Sequence, residues 1–333
     1  MSLVKRYGAN FVAVCCILFF AAEGLVFSGC QKCQKPEEAN NSTQVKQSAV
    51  EVEPVSVPVE TNAVSEKMSE KIPVEPVAVA SLEEHGVKVA YNNDKTLKSL
   101  DFSDQKQPVT LFPDEENSWK SVRVIRGKGN LPFALLEICL TQMPQLKEFL
   151  WTETVIESDT TIENCRCAEL KKLRLSGLTV SENHRFPVTL IKSFDVCKNL
   201  SEFDLSGSSL TDSDLNDLKL QVLFPKLERL NLYQTRITDE GVEQLLPLVE
   251  TINWLNLDAT GIDDSVMNNL TKFQQLTFLH IGRTSVSDAS IELLATFPEL
   301  KKIHVTRTQI SEKGAEKLRA LLPDCEVVSE VEE

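Results

Sequence analysis

From residue 227 onward the apolar positions recur on a fixed count. LERLNLYQTRITDEG begins at Leu227, INWLNLDATGIDDSV at Ile252, LTFLHIGRTSVSDAS at Leu276 and LKKIHVTRTQISEKG at Leu300. Taking each start as offset 0, apolar side chains fall at offsets 0, 3, 5 and 10, and Thr falls at offset 8. The starts are 25, 24 and 24 residues apart. Weaker copies precede these four. Leu200, Phe203, Leu205 and Leu210 fit, with Ser208 in the Thr slot. So do Leu170, Leu173, Leu175 and Val180, with Leu178 in that slot, and Leu146, Phe149, Trp151, Thr154 and Ile156. Leu97, Leu100 and Phe102, and then Trp119, Val122 and Val124, read as degenerate opening copies; Leu322, Cys325 and Val327 read as a last strand.

Each copy predicts a strand, a turn and a helix. Offsets 3 and 5 share one side of a short strand, and offsets 2, 4 and 6 share the other, because side chains alternate faces. The Thr hydroxyls are placed to bond backbone groups of the turn that follows. Thr238, Asp263, Ser287 and Ser311 occupy the helix N-cap slot, where a side-chain oxygen accepts a free helix N–H. Asp239, Asp264, Asp288 and Glu312 follow them and favour the helix dipole. Val242, Leu245 and Leu246 form an inner helix face at helical spacing, repeated by Leu293 and Leu294 and by Ala315 and Leu318. No such unit buries its apolar side alone, so the copies must stack.

This pattern, over roughly residues 119–333, resembles the leucine-rich repeat family in the form where Thr replaces the consensus Asn. The resemblance implies an α/β fold: a solenoid with a curved parallel sheet inside and helices outside. The expected organisation is a signal peptide or anchor at 1–30, a disordered Glu/Pro/Val-rich linker at 31–85, an N-terminal cap with degenerate repeats at 86–145, and the repeat domain at 146–333.

The N-terminus adds a location. Lys5 and Arg6 precede the short apolar run FVAVCCILFFAA, and LVFSGC ends at Cys30. That order of zones is the order of a secretory signal. LVFSGC resembles the lipobox of bacterial lipoproteins, which implies lipidation of Cys30. An uncleaved helical anchor over residues 8–29 and a plain cleaved signal are the alternatives. All three place the rest of the chain outside the cytosol, and a lipid or helical anchor would hold it in a bacterial cell envelope. Cys30 and Cys33 precede a Lys/Pro/Glu-rich tail rather than a helix start, which argues against a redox pair. A haem-attachment reading fails at Gln34, where His is required.

Charge and chemistry narrow the function. The net charge of −14 argues against nucleic acid as a partner. The chain carries no G-x-S-x-G, no H-E-x-x-H, no phosphate loop and no dinucleotide fingerprint, so the reading is a binding protein, not an enzyme, with no cofactor. The candidate site is the concave face. Trp254 and Phe278 fall next to each other at offset 2, Asn256 and His280 at offset 4, Tyr233 at offset 6, and Arg283 and Arg307 at offset 7. With Lys301, Lys302 and His304 they suggest an aromatic patch beside a cationic one, suited to an acidic or carbohydrate-bearing partner, protein or glycan. His280, His304 and Asp258 are weighed as metal ligands and set aside, since side chains on flat neighbouring strands do not converge. Cys139, Cys165, Cys167, Cys197 and Cys325 read as buried thiols, with one disulfide as the alternative in an oxidising compartment. Two other functions stay open: an exported hydrolase with a site in residues 86–145, and a purely structural envelope protein.

Overall fold

The computed structural model of the chain describes residues 82–105 and 118–329. The signal or anchor expected at 1–30, Cys30 with it, and residues 31–81 of the expected linker lie outside the described residues. The last residues of that linker range belong to the fold: Leu82 is fully buried and its carbonyl accepts the amides of His85 and Val87.

The strands are β1 (Lys88–Tyr91), β2 (Leu97–Asp101), β3 (Val124–Asn130), β4 (Glu148–Ile156), β5 (Lys172–Leu175), β6 (Thr179–Val180), β7 (Glu202–Asp204), β8 (Arg229–Asn231), β9 (Trp254–Asn256), β10 (Phe278–His280), β11 (Lys302–His304) and β12 (Glu326–Val328). They form a 12-stranded sheet in which each strand lies beside the next in sequence, except that β6 steps aside to pair with β4. Only the first pairing, β1 with β2, is antiparallel; from β2 onward the sheet is parallel. Leu230, Leu255, Leu279 and Ile303 stand in register on consecutive strands, and all four are fully buried. This is the stack that the repeat count requires, and each such side chain contributes about 2 kcal/mol by leaving water.

The turn after each strand has one recurring device. Offset 7 takes left-handed φ in Glu153, Gln234, Ala259, Arg283 and Arg307, and Gly177 and Gly207 fill the same slot. The conformation turns the offset-7 amide onto the next repeat: Gln234 donates to the Asp258 carbonyl and Arg283 to the Thr306 carbonyl, both at 2.9 Å. The Thr hydroxyls close this turn, and Thr308 also accepts the Ile310 amide that follows it at 3.2 Å. Thr235, Thr260, Thr284 and Thr308 donate back to the carbonyls of Leu232, Leu257, Ile281 and Val305 at 2.5–2.8 Å.

The helix starts carry a second ladder. Thr238, Asp263, Ser287 and Ser311 cap their helices, accepting from Glu240, Ser265, Ala289 and Gly314 amides. The acids after them do more than complement a dipole. Asp264 accepts the amide and hydroxyl of Ser287 in the next repeat at 2.8 and 2.5 Å, and Asp288 does the same for Ser311 at 2.8 and 2.6 Å. The Ser311 hydroxyl and amide hold the Asp288 carboxyl below the usual carboxylate range.

Three expected positions shift. The opening copy at 119 is set wrongly: Ile125, not Val124, fills the buried strand slot beside Leu100 and Phe149, and Val124 lies on the solvent side. The cause is Gly127 at offset 5, where a Cβ would fall 2.2 Å from the Trp151 ring. Trp151 of the next repeat fills the missing side chain's space, so no leucine marks the register. On the helix side Leu293 is exposed and Ile291 and Leu294 are buried, because a short 3-10 turn, Asp288–Ser290, precedes the helix Ile291–Leu294. At the end, Val327 rather than Cys325 pairs with Ile303, and Cys325 sits half-buried before the strand.

Candidate partner-binding face

The solvent side of the sheet is built from columns that the parallel register lines up. At offset 2 the neighbours across β5 to β12 are Lys172, Glu202, Arg229, Trp254, Phe278, Lys302 and Glu326. Charges of opposite sign meet on either side of the aromatic pair: Lys172–Glu202 at 3.1 Å, Arg229–Glu202 at 3.9 Å and Lys302–Glu326 at 2.9 Å. Exposed pairs of this kind contribute a few tenths of a kcal/mol each, about the scale of other cross-strand pairs.

The aromatic pair interrupts that alternation. The Trp254 and Phe278 rings stack with centroids 4.7 Å apart and planes 6° from parallel. The Arg229 guanidinium lies 4.5 Å over the indole. Arg229 and Phe278 come from the strands on either side of β9, so they cover opposite faces of the ring. Phe278 continues to His304 at 5.5 Å, and His304 to His280 at 4.6 Å. Both Trp254 and Phe278 remain half-buried, with edges toward solvent.

At the strand ends a charged clamp sits beside this stack. Asp258 is only 2% exposed. Arg283 donates to both of its oxygens, through Nε at 2.9 Å and through Nη2. The same guanidinium lies 5.0 Å from the Tyr233 ring centroid. His280 Nε2 stands 3.6 Å from the Asp258 carboxylate. Burial pushes the His280 pKa down to about 4, against the pull of Asp258 and with help from His304 and Arg283, so the ring is neutral at neutral pH. Asn256 has a local task as well: its Oδ1 accepts the Asp258 amide at 2.9 Å, as Asn231 does for Tyr233 and Asp204 for Ser206.

Six of the seven candidate residues therefore fall in one neighbourhood, with Arg307 one repeat on from Arg283, and the expected cationic patch is reduced. Arg283 is held by Asp258, Lys302 is paired with Glu326, and His280 is uncharged. Arg307 is exposed and makes no ion pair among the described residues. Among the described residues no three His, Cys, Asp or Glu side chains come together as a metal site. The Asp258 carboxylate that His280 faces already carries a guanidinium.

The sequence reading did not single out a hollow of about 160 Å³ next to the aromatic pair. Lys172, Arg174, Glu202, Asp204, Arg229 and Trp254 are among its walls, and Arg174 pairs with Asp204 at 3.0 Å.

Residues 225–246 match the family model described as Leucine Rich repeat. Among solved structures, internalin C2 of Listeria monocytogenes is similar at 21% identity, over 61% of this chain and 77% of that one, with a TM-score of 0.43. A leucine-rich-repeat protein of Leptospira interrogans is similar at 20% identity, over 69% of this chain and 60% of that one, with a TM-score of 0.44. Another Listeria monocytogenes internalin is similar at 15% identity, over 68% and 66% of the two chains, with a TM-score of 0.44. No curated protein matches the sequence. The strand register and repeat-to-repeat bonding of the described residues are those of a leucine-rich repeat solenoid.

Proposed function

We propose that this chain is a recognition protein that docks a protein partner on the solvent face of its sheet, with Trp254 and Phe278 as the anchor. The observation that carries the reading is the stacked ring pair, half-buried in a column otherwise made of matched charges. Large aromatics in such a setting have no core to fill, and they are the side chains that most often anchor interfaces. A sugar would need an open ring face to stack on. Arg229 and Phe278 occupy both faces of the indole, so the exposed edges suit a protein surface better than a glycan. A strongly acidic partner meets fewer free cations than the offsets suggest, because Arg283 and Lys302 are already paired.

In this reading the N-terminal segment keeps the protein at the membrane, outside the cytosol, through Cys30 or a retained helix. Residues 86–145 offer the hydrolase alternative no support among the described residues: Gly127 yields space to Trp151, the Gly129 carbonyl accepts the Trp151 indole N–H at 2.9 Å, and Trp119 is buried.

The test is a crosslinking pull-down from membranes with the full chain and a Trp254→Ala/Phe278→Ala variant. The variant should lose the captured partner, while Lys317→Ala, on the helix side, keeps it. An identical captured set for all three proteins would remove this face from consideration. Lipid labelling that persists in Cys30→Ala would separately refute the lipid anchor.

A further inference from the structure

Cysteines 167 and 197 occupy one position of two consecutive repeats. Each lies three residues before its repeat's first leucine, and each carbonyl accepts that leucine's amide at 3.0 Å: Leu170 onto Cys167, Leu200 onto Cys197. In other repeats the same turn position holds a large apolar side chain. Met143 accepts from Leu146, Phe224 from Leu227 and Phe273 from Leu276. Only here do two neighbouring copies both carry the small thiol. Both residues are fully buried, and their sulfurs stand 3.1 Å apart.

We infer that Cys167 and Cys197 form a disulfide that joins two neighbouring repeats. The inference does not rest on the proposed function. A disulfide needs its sulfurs ~2.0 Å apart, so the pair has to close by only about 1 Å. The shared turn geometry already holds the two side chains side by side. Cys139 is fully buried too and lies near enough to Cys167 for the two to interact, but the sulfur that touches Cys167 is that of Cys197. Cys165 and Cys325 are placed differently. Cys165 points its thiol at the Ile162 carbonyl at 3.4 Å, and Cys325 lies beside the last strand, with its thiol 3.8 Å from the Glu326 carbonyl.

The chemistry is thiol–disulfide exchange with a small-molecule disulfide such as oxidised glutathione. One cysteine thiolate attacks the oxidant's S–S bond, forms a mixed disulfide and releases one glutathione thiol. The second cysteine thiolate then displaces the other glutathione. Two protein thiols lose two protons and two electrons, and one oxidant disulfide becomes two thiols. The Cys167 contact and then burial raise the Cys197 pKa in the folded chain, and both sulfurs are shut away from solvent, so reaction belongs to the folding phase, when both thiols meet the oxidant. Once closed, the bond is shielded from reductants by the same burial.

The test starts from the full chain, reduced and denatured, then refolded in a glutathione redox buffer. The folded protein is denatured, alkylated without reduction and digested with trypsin. Cleavage after Arg166 separates Cys165 from Cys167, leaving Cys167 on residues 167–171 and Cys197 on residues 193–198. The expected product is those two peptides joined, lighter than their sum by two hydrogens. Cys167→Ala should leave Cys197 open to the alkylating agent. Reduction under denaturing conditions and refolding without oxidant should lower Tm by about 5–10 °C. Recovery of both cysteines as alkylated thiols, or of either one joined to a different cysteine, overturns the inference.

Discussion

The two halves of the described chain hold their repeats together by different means. From Leu227 to the end, the copies repeat the same polar devices: a left-handed offset 7, a Thr hydroxyl closing the turn and, in all but the last, an acid reaching the next repeat's cap. In the copies before Leu227 those devices thin out and individual large side chains take over. Trp151 fills the space above Gly127, packs 6.0 Å from Phe149 and 5.9 Å from Phe102, and donates its indole N–H to Gly129. A periodic half can be read from one copy, and a tailored half only from its neighbours. The regular half also tolerates a free choice at the solvent-facing offsets. That freedom is what allows the Trp254–Phe278 pair to appear there.

The sharpest way to break the tailored half is to restore the consensus at one slot. Gly127→Leu places a side chain where the Trp151 ring already lies, and it should cost about 3 kcal/mol or more in chemical denaturation. Trp151→Leu empties the same space and should cost about 2–3 kcal/mol. In the double variant the two leucines sit in register as Leu175 does next door, so the combined cost should fall well below the sum. Simple additivity would mean that the two residues do not share one space, contrary to the packing described above.

This contrast explains how much was legible in the sequence. The solenoid, the four aligned strand residues Leu230, Leu255, Leu279 and Ile303, and the whole offset-2 and offset-4 columns follow from counting alone. So do the caps at Thr238, Ser287 and Ser311. Counting failed where a slot is filled from another repeat, as at Gly127, or where a short 3-10 turn rotates a helix, as at Leu293. For the candidate site, the neighbourhood was readable but its charge state was not. Offset arithmetic places Arg283 near Asp258, but it does not say that Asp258 is buried and takes both ends of the guanidinium. Nor does it reveal that His280 is desolvated.

The His280 environment offers a pH handle on the regular half. Its folded pKa of about 4 lies below the 6.5 of an unfolded histidine, so the unfolded chain binds the proton more readily. The contribution is fully present above pH 6.5 and is lost as the pH falls from 6.5 toward 4. It amounts to something on the order of 2 kcal/mol, since each pKa unit is ~1.4 kcal/mol and the ring is part-exposed. Measured from each protein's own midpoint at pH 7, the denaturation midpoint of the native chain should therefore fall further than that of His280→Asn as the pH drops from 6.5 to 4. Parallel curves across that window would show that His280 protonates freely in the fold.

The smallest effect compares one slot in both halves. At offset 8 the Thr260 hydroxyl donates to the Leu257 carbonyl at 2.5 Å inside the core, whereas the Ser208 hydroxyl, in the same slot two repeats earlier, is buried with no hydrogen-bond partner among the described residues. Thr260→Val keeps the shape and removes one satisfied hydrogen bond, which should cost about 1 kcal/mol. Ser208→Ala removes a polar group that gains nothing from its surroundings, so its effect should lie between zero and a stabilisation of about 1 kcal/mol. Urea denaturation of the two variants side by side decides the point, because the slot differs in partner and hardly in burial. Equal losses at both positions would mean that Ser208 is bonded in solution, and the turn device would then extend into the tailored half.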